Sequence, residues 1–258
     1  MQPSLESGFA SVNGIEMYYA IYGAGAPVLL IHGGLSNADV WSSQAATLSK
    51  RYKVIVADSR GHGRSTRGDQ PLSYHLMASD YLALLDHLKI DKCALVGWSD
   101  GGVIGLDIAI EHPERLSGLY VQGAHADADA VSPSAFLSWN FATFFVRAWR
   151  DYMHLSSTPW RFPLLVAELN GVWGREPHWT ATQLAGIRVP TTVAAAEHDR
   201  SIKREHTNYL AATIPGAKLV ILPGVDHFAL LQDPEGFNRS VLDFLKAGAW
   251  ETSGHPAP

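Results

Sequence analysis
Leu95-Val96-Gly97-Trp98-Ser99-Asp100-Gly101-Gly102 decides how this chain reads. Residues 92–96 (Lys-Cys-Ala-Leu-Val) read as a buried parallel strand. Gly-x-Ser-x-Gly follows at once. Val103, Ile104, Leu106, Ile108, Ala109 and Ile110 then recur at helix-compatible spacing until His112-Pro113, where the residue before proline avoids the α region. A serine on so sharp a strand-to-helix turn takes a strained backbone and exposes its hydroxyl. Gly97 and Gly101 let strand and helix pass close to the turn. The first N–H groups of the helix face any negative charge that develops beside Ser99.

Strands and helices alternate on both sides of this elbow. Residues 8–22 read as a hairpin around Asn13-Gly14. An apolar strand at 28–31 precedes a helix at 40–48, with Ser36, Asn37 and Asp39 as candidate caps. A strand at 53–58, a helix at 73–88 and a strand at 116–121 follow. Strand 189–196, helix 203–214, strand 218–222 and helix 231–245 complete the order. This alternation predicts an α/β fold: a mostly parallel eight-stranded sheet with helices on both faces and sites at the carboxyl ends of strands. The core is expected at 1–124 and 188–258. Residues 125–187 interrupt the alternation with Phe136, Trp139, Phe144, Trp149, Trp160, Trp173 and Trp179, and read as an inserted helical lid. Most of these rings are expected to fasten the lid to the core, and a few to line an apolar pocket. Residues 1–7 and 248–258 read as loose tails.

With 258 residues, 47% of them hydrophobic, the chain can bury one large core. Its formal charge of −5 and the lack of a Lys/Arg block argue against nucleic acid as a partner. A single cysteine, Cys93, excludes an internal disulfide and reads as a small core residue. No run reaches membrane-spanning length and no signal core opens the chain, so a cytoplasmic location is expected. No metal-ligand cluster or phosphate-cradling loop occurs, so no cofactor is implied. The oligomeric state is open.

A serine hydroxyl needs a base, and the base needs an acid to fix its tautomer. Of the 12 histidines, His227 stands out, in the loop between the last strand and the last helix. Asp199, past the end of strand 189–196, is the preferred acid, with Glu197 and Asp226 as competitors. The oxyanion is assigned to the backbone N–H groups of Asp100 and Gly34, the latter in His32-Gly33-Gly34-Leu35. Gly33, Leu35, Trp98, His125, Trp139, Trp160, Trp173 and Phe228 are the expected pocket residues.

These motifs resemble the α/β-hydrolase family over residues 8–247. The resemblance rests on His32-Gly33-Gly34, the stretch 58–65 (Asp-Ser-Arg-Gly-His-Gly-Arg-Ser), the elbow, Glu197-His198-Asp199 and the stretch 224–228. It implies a Ser–His–Asp site in the chain order Ser99, Asp199, His227. It also implies a structural role for Asp58, Arg60 and His62, and a lid after the sixth strand. Trp98-Ser99-Asp100-Gly101-Gly102 is similar to the biphenyl-hydrolase-like subgroup and to enol-lactonase branches. In an amino-acid ester hydrolase of that subgroup, the acid after the nucleophile reads the substrate's amino group, which would fall to Asp100. The expected activity is hydrolysis of small apolar or aromatic esters or lactones through an acyl-enzyme on Ser99. Hydrolysis of C–C bonds in ring-cleavage products, perhydrolase or haloperoxidase-like chemistry, and a non-catalytic small-molecule receptor are the alternatives.

Overall fold
A computed structural model describes residues 4–248. Eight strands form one sheet in the order β1-β2-β4-β3-β5-β6-β7-β8. They are β1 (Glu6–Val12), β2 (Ile15–Tyr22), β3 (Pro27–Ile31), β4 (Lys53–Ala57), β5 (Cys93–Trp98), β6 (Leu116–Gln122), β7 (Thr191–Ala196) and β8 (Lys218–Leu222). The β1–β2 hairpin turns at Asn13 and Gly14, both at positive φ (44° and 77°). It joins the sheet through an antiparallel β2–β4 pairing, and all later neighbours are parallel. The helices are α1 (Ser42–Leu48), α2 (Tyr74–His87), α3 (Asp100–Glu111), α4 (Trp139–Leu155), α5 (Phe162–Trp173), α6 (Ala181–Gly186), α7 (Arg204–Thr213), α8 (Ala229–Gln232) and α9 (Pro234–Ala247). Helices α2 and α3 pack together, as do α1 and α9.

β3, β5 and β7 are buried almost throughout, as a parallel sheet covered on both faces requires. Cys93 lies in this core, where burial pushes its thiol up to about 12. Among the described residues no helix is long and apolar enough to cross a membrane.

The structure departs from the sequence reading at element ends. The first strand begins at Glu6, and the Leu5 N–H already bonds the Ile21 carbonyl, so residues 5–7 are no tail. Residues 249–258 of the second expected tail lie outside the described residues. Helix 40–48 is a 3-10 turn (Ala38–Trp41) running into α1. Of its three candidate caps, Asn37 accepts from the Asp39 N–H. Helix 231–245 is broken into α8 and α9. Asp233 precedes Pro234, is driven out of the helical region (φ −134°, ψ 75°), and caps α9 by accepting from the Gly236 N–H. Between β6 and β7, residues 125–187 hold α4, α5, α6 and short 3-10 turns.

Candidate active site
Ser99 sits between β5 and α3 with φ 55° and ψ −122°. Its N–H is tied to the Gln122 carbonyl of β6 at 2.8 Å, and its own carbonyl accepts from Gly102 and Val103. The flanking glycines are obligatory. A Cβ on Gly97 would stand 2.2 Å from the Gly101 carbonyl oxygen, and one on Gly101 would stand 2.0 Å from that of Ile31. Backbone cannot yield at such separations, so the motif's glycines exist to let β5, α3 and the end of β3 touch.

The loop after β8 brings His227 to this turn. His227 Nε2 lies 2.9 Å from Ser99 Oγ, and Nδ1 lies 3.1 Å from Asp199 Oδ2 and 3.2 Å from Oδ1. An ionised Asp199 only accepts, so Nδ1 carries the proton and Nε2 accepts from the Ser99 hydroxyl. Asp199 Oδ1 also accepts from the N–H groups of Ser201 (2.8 Å) and Ile202 (3.1 Å). Burial alone would raise the Asp199 carboxyl, but His227 and these N–H groups outweigh it and hold it below the usual range. Burial likewise opposes the His227 imidazolium. Asp199 chiefly, with Asp226 and Asp100, overcomes it and raises His227. The competing acids face elsewhere. Glu197 accepts from the Gly224 N–H and links the ends of β7 and β8. Asp226 accepts from the Phe228 N–H and from Asn140.

Two devices that the sequence did not reveal set this arrangement. The Trp98 indole N–H donates to the His227 carbonyl at 2.8 Å, so the residue before Ser99 fixes the backbone of the residue opposite it. Gly123, at φ +65° after β6, leaves room where a Cβ would stand 2.8 Å from His227 Cε1. A glycine ending a strand next to the elbow strand is the only sequence signal for the second, and nothing local signals the first.

The loop after β3 is clamped from below. His32 Nε2 accepts from the Ser59 N–H (2.9 Å), which leaves Nδ1 to donate to the Gly33 carbonyl (2.7 Å). Full burial, with His62 beside it, pushes His32 down to about 3, so the ring stays neutral. A Cβ on Gly33 would meet Ser99 Cβ at 3.0 Å, and one on Gly34 would meet Asp100 Oδ2 at 2.5 Å. Leu35 completes the loop at φ 62°. The stretch 58–65 serves as scaffolding. Buried Asp58 accepts from the Ala38 and Arg64 N–H groups, and Arg60 makes a two-point ion pair with Asp80.

Asp100 is 5% exposed. Both of its carboxylate oxygens lie 3.0 Å from the Trp173 indole N–H, and Oδ1 also accepts from the Tyr74 hydroxyl at 3.1 Å. Burial raises this carboxyl to about 6 against the pull of those donors. Asp100 thereby joins the elbow to the ends of α2 and α5.

Above Ser99 opens a cleft lined by Gly34, Leu35, Trp98, Asp100, His125, Trp173, His227 and Phe228 and by residues the sequence reading missed: Val131, Ala135, Phe136, Phe141, Phe144, Ser201 and Ile202. Gly33 stands behind this wall rather than in it. Trp139 and Trp160 do not reach the cleft and are 84% and 72% exposed. Helix geometry explains the exchange on α4: at about 100° per residue, Trp139 and Phe144 point roughly 140° apart. The usable signal was the stripe Phe144, Ala148, Tyr152, which is the buried face of α4.

The family model of the alpha/beta hydrolase fold matches residues 26–150. A protein of Azorhizobium caulinodans that carries the name carbamate hydrolase RutD is 30% identical, over 89% of this chain and 94% of that protein. The enol-lactonase from Burkholderia xenovorans LB400 superposes with a TM-score of 0.74 at 25% identity, covering 92% of this chain and 99% of that one. Est816, described as an N-acyl homoserine lactone degrading enzyme, gives a TM-score of 0.71 at 27% identity, over 93% of this chain and 100% of its own.

Proposed function
The chain belongs to the α/β-hydrolase family, and from that premise we propose a serine hydrolase that cleaves carboxylic esters or lactones of small apolar substrates. The observation that supports it is the unbroken hydrogen-bonded line from Ser99 through His227 to Asp199, opening into an apolar cleft. In this reading Ser99 Oγ attacks the substrate carbonyl as its proton passes to His227 Nε2. Asp199 stabilises the imidazolium and holds the ring orientation. The oxyanion takes hydrogen bonds from the backbone N–H groups of Asp100 and Gly34, each such donor contributing about 3 kcal/mol in the transition state. His227 then protonates the leaving oxygen, and a water activated by the same nitrogen releases the acyl group. The β6–β7 segment serves as a lid whose aromatic inner face selects apolar groups.

The Asp100 carboxylate is assigned a positioning role. Its contacts with Trp173 and Tyr74 fasten the proposed lid and α2 to the elbow. The test is labelling of Ser99 by a fluorophosphonate, with a panel of aryl esters, lactones, aryl carbamates and a ring-cleavage product on wild type and Ser99→Ala. Labelling and turnover of C–O bonds, both lost in Ser99→Ala, are expected. Turnover that survives the substitution sinks the assignment. An amino-acid ester and its N-acetylated analogue belong in the same panel. Equal kcat/KM is expected, and a strong preference for the free amine would return a charge-reading role to Asp100.

A further inference from the structure
A side chain of the cleft wall carries a buried polar atom without a partner among the described residues. His125, in the loop after β6, is 3% exposed and lines the cleft. Its Nε2 lies 3.4 Å from the Glu176 carbonyl oxygen, a contact that only a protonated Nε2 satisfies, so Nδ1 keeps its lone pair. No donor among the described residues reaches that Nδ1. Burial pushes the ring down to about 4, so it is neutral through the working range and the lone pair persists. A buried acceptor left unmade is costly, and a native structure keeps one where something else completes it.

The neighbouring groups decide what completes it. Five neighbouring side-chain donors are spent on protein acceptors: Trp173 and Tyr74 on Asp100, Trp98 on the His227 carbonyl, Ser99 on His227, and His227 on Asp199. The Tyr74 ring stands edge-on to His125 at 6.0 Å and fixes one side of it. A donor group of a ligand seated against His125 would therefore complete a neutral acceptor nitrogen that none of these five side chains reaches.

We infer that His125 Nδ1 accepts a hydrogen bond from an N–H or O–H group of the substrate, carried near the scissile carbonyl. This inference rests on the hydrolase reading of the same cleft and narrows its substrates to carbonyl compounds bearing such a donor. Amides, carbamates and hydroxy acids carry one; simple alkyl esters do not. His125 is thus a specificity-determining residue, separate from the Ser99, His227 and Asp199 line.

The experiment compares nitrophenyl esters that differ only by methylation of the donor: hydroxyacetate with methoxyacetate, and N-acylglycine with N-acylsarcosine. Each is run on wild type, His125→Phe and His125→Asn. Wild type should favour the donor-bearing member of at least one pair by about tenfold in kcat/KM, after correction for hydroxide-catalysed rates. His125→Phe should lose that preference, read as the ratio of kcat/KM within each pair rather than from the turnover of either member. His125→Asn, whose amide oxygen accepts near the same place, should retain it. No preference in wild type overturns the inference, whatever the folding of the variants. So does the same preference in wild type and His125→Phe. If wild type turns over no ester and Ser99 resists the fluorophosphonate, it is the hydrolase reading that has failed.

Discussion

The elbow below the cleft and the β6–β7 segment above it face the same space but are held in different ways. The elbow is fixed by backbone. Gly97 and Gly101 sit where no side chain fits, Ser99 is bonded to β6, and His32 clamps the adjoining loop. The upper segment is fixed by side chains. Phe144 packs on Trp98 and Phe228, Trp173 reaches down to Asp100, and Arg67 forms a two-point ion pair with Glu168 of α5. A substitution in the lower half should therefore act in an all-or-none way, whereas one in the upper half should act in proportion to the area it buries.

The sharpest break between the halves is expected at Ser99. Ser99→Ala keeps the packing and should lower kcat by about four orders of magnitude or more, read by steady-state kinetics. Gly101→Ala comes next: a Cβ 2.0 Å from the Ile31 carbonyl oxygen forces strand and helix apart. A loss of roughly 3 kcal/mol or more in denaturant unfolding is expected. A wild-type midpoint would mean that the elbow is softer than its backbone contacts imply.

A more moderate effect is expected from pH. In the proposed mechanism activity requires neutral His227, whose value is raised above 6.5, so the acid limb of kcat/KM should fall with its midpoint above 6.5. Stability runs the other way. A raised histidine stabilises the fold fully below 6.5 and loses that contribution as pH rises through its folded value. Asp199, held below 3.8, stabilises above 3.8 and loses its contribution as pH falls through its folded value. The pair should therefore stabilise most between these limits, in the range where activity is fading. Melting of wild type against Asp199→Asn across pH reads the first, and the rate profile reads the second. A flat rate from pH 5 to 8 would remove His227 as the base. The smallest effect is expected on the outer face of the upper segment. Trp139→Ala and Trp160→Ala should each shift stability by less than about 0.5 kcal/mol, since both rings stand in solvent.

The same contrast explains what could be read from the chain. Elements fixed by backbone rules leave local marks: Asn13-Gly14 for the hairpin, Gly-x-Ser-x-Gly for the elbow, a loop at each strand end for Asp199 and His227. Strand spans were legible within a few residues for that reason. Choosing Asp199 over Glu197 and Asp226 needed only the loop order, yet the directions of the two rejected carboxylates are visible only in three dimensions. In the upper segment, ring identity was legible and ring direction was not. Trp139 and Phe144 look alike as large aromatics, and only the phase of α4 separates them. The Trp98 bond to the His227 carbonyl spans 129 positions and leaves no local trace.

Ser99 holds a backbone conformation, φ 55° and ψ −122°, that suits glycine better than serine. Holding a side chain there costs on the order of 1–3 kcal/mol. Position 99 is thus a place where thermal robustness and chemistry favour different residues. In a library screened only for survival after heating, Ser99→Gly would be enriched and would carry the fold forward without its hydroxyl. A heat-only screen of this scaffold would then select against the residue that gives it its proposed use, and any lineage that keeps serine here does so under pressure for turnover.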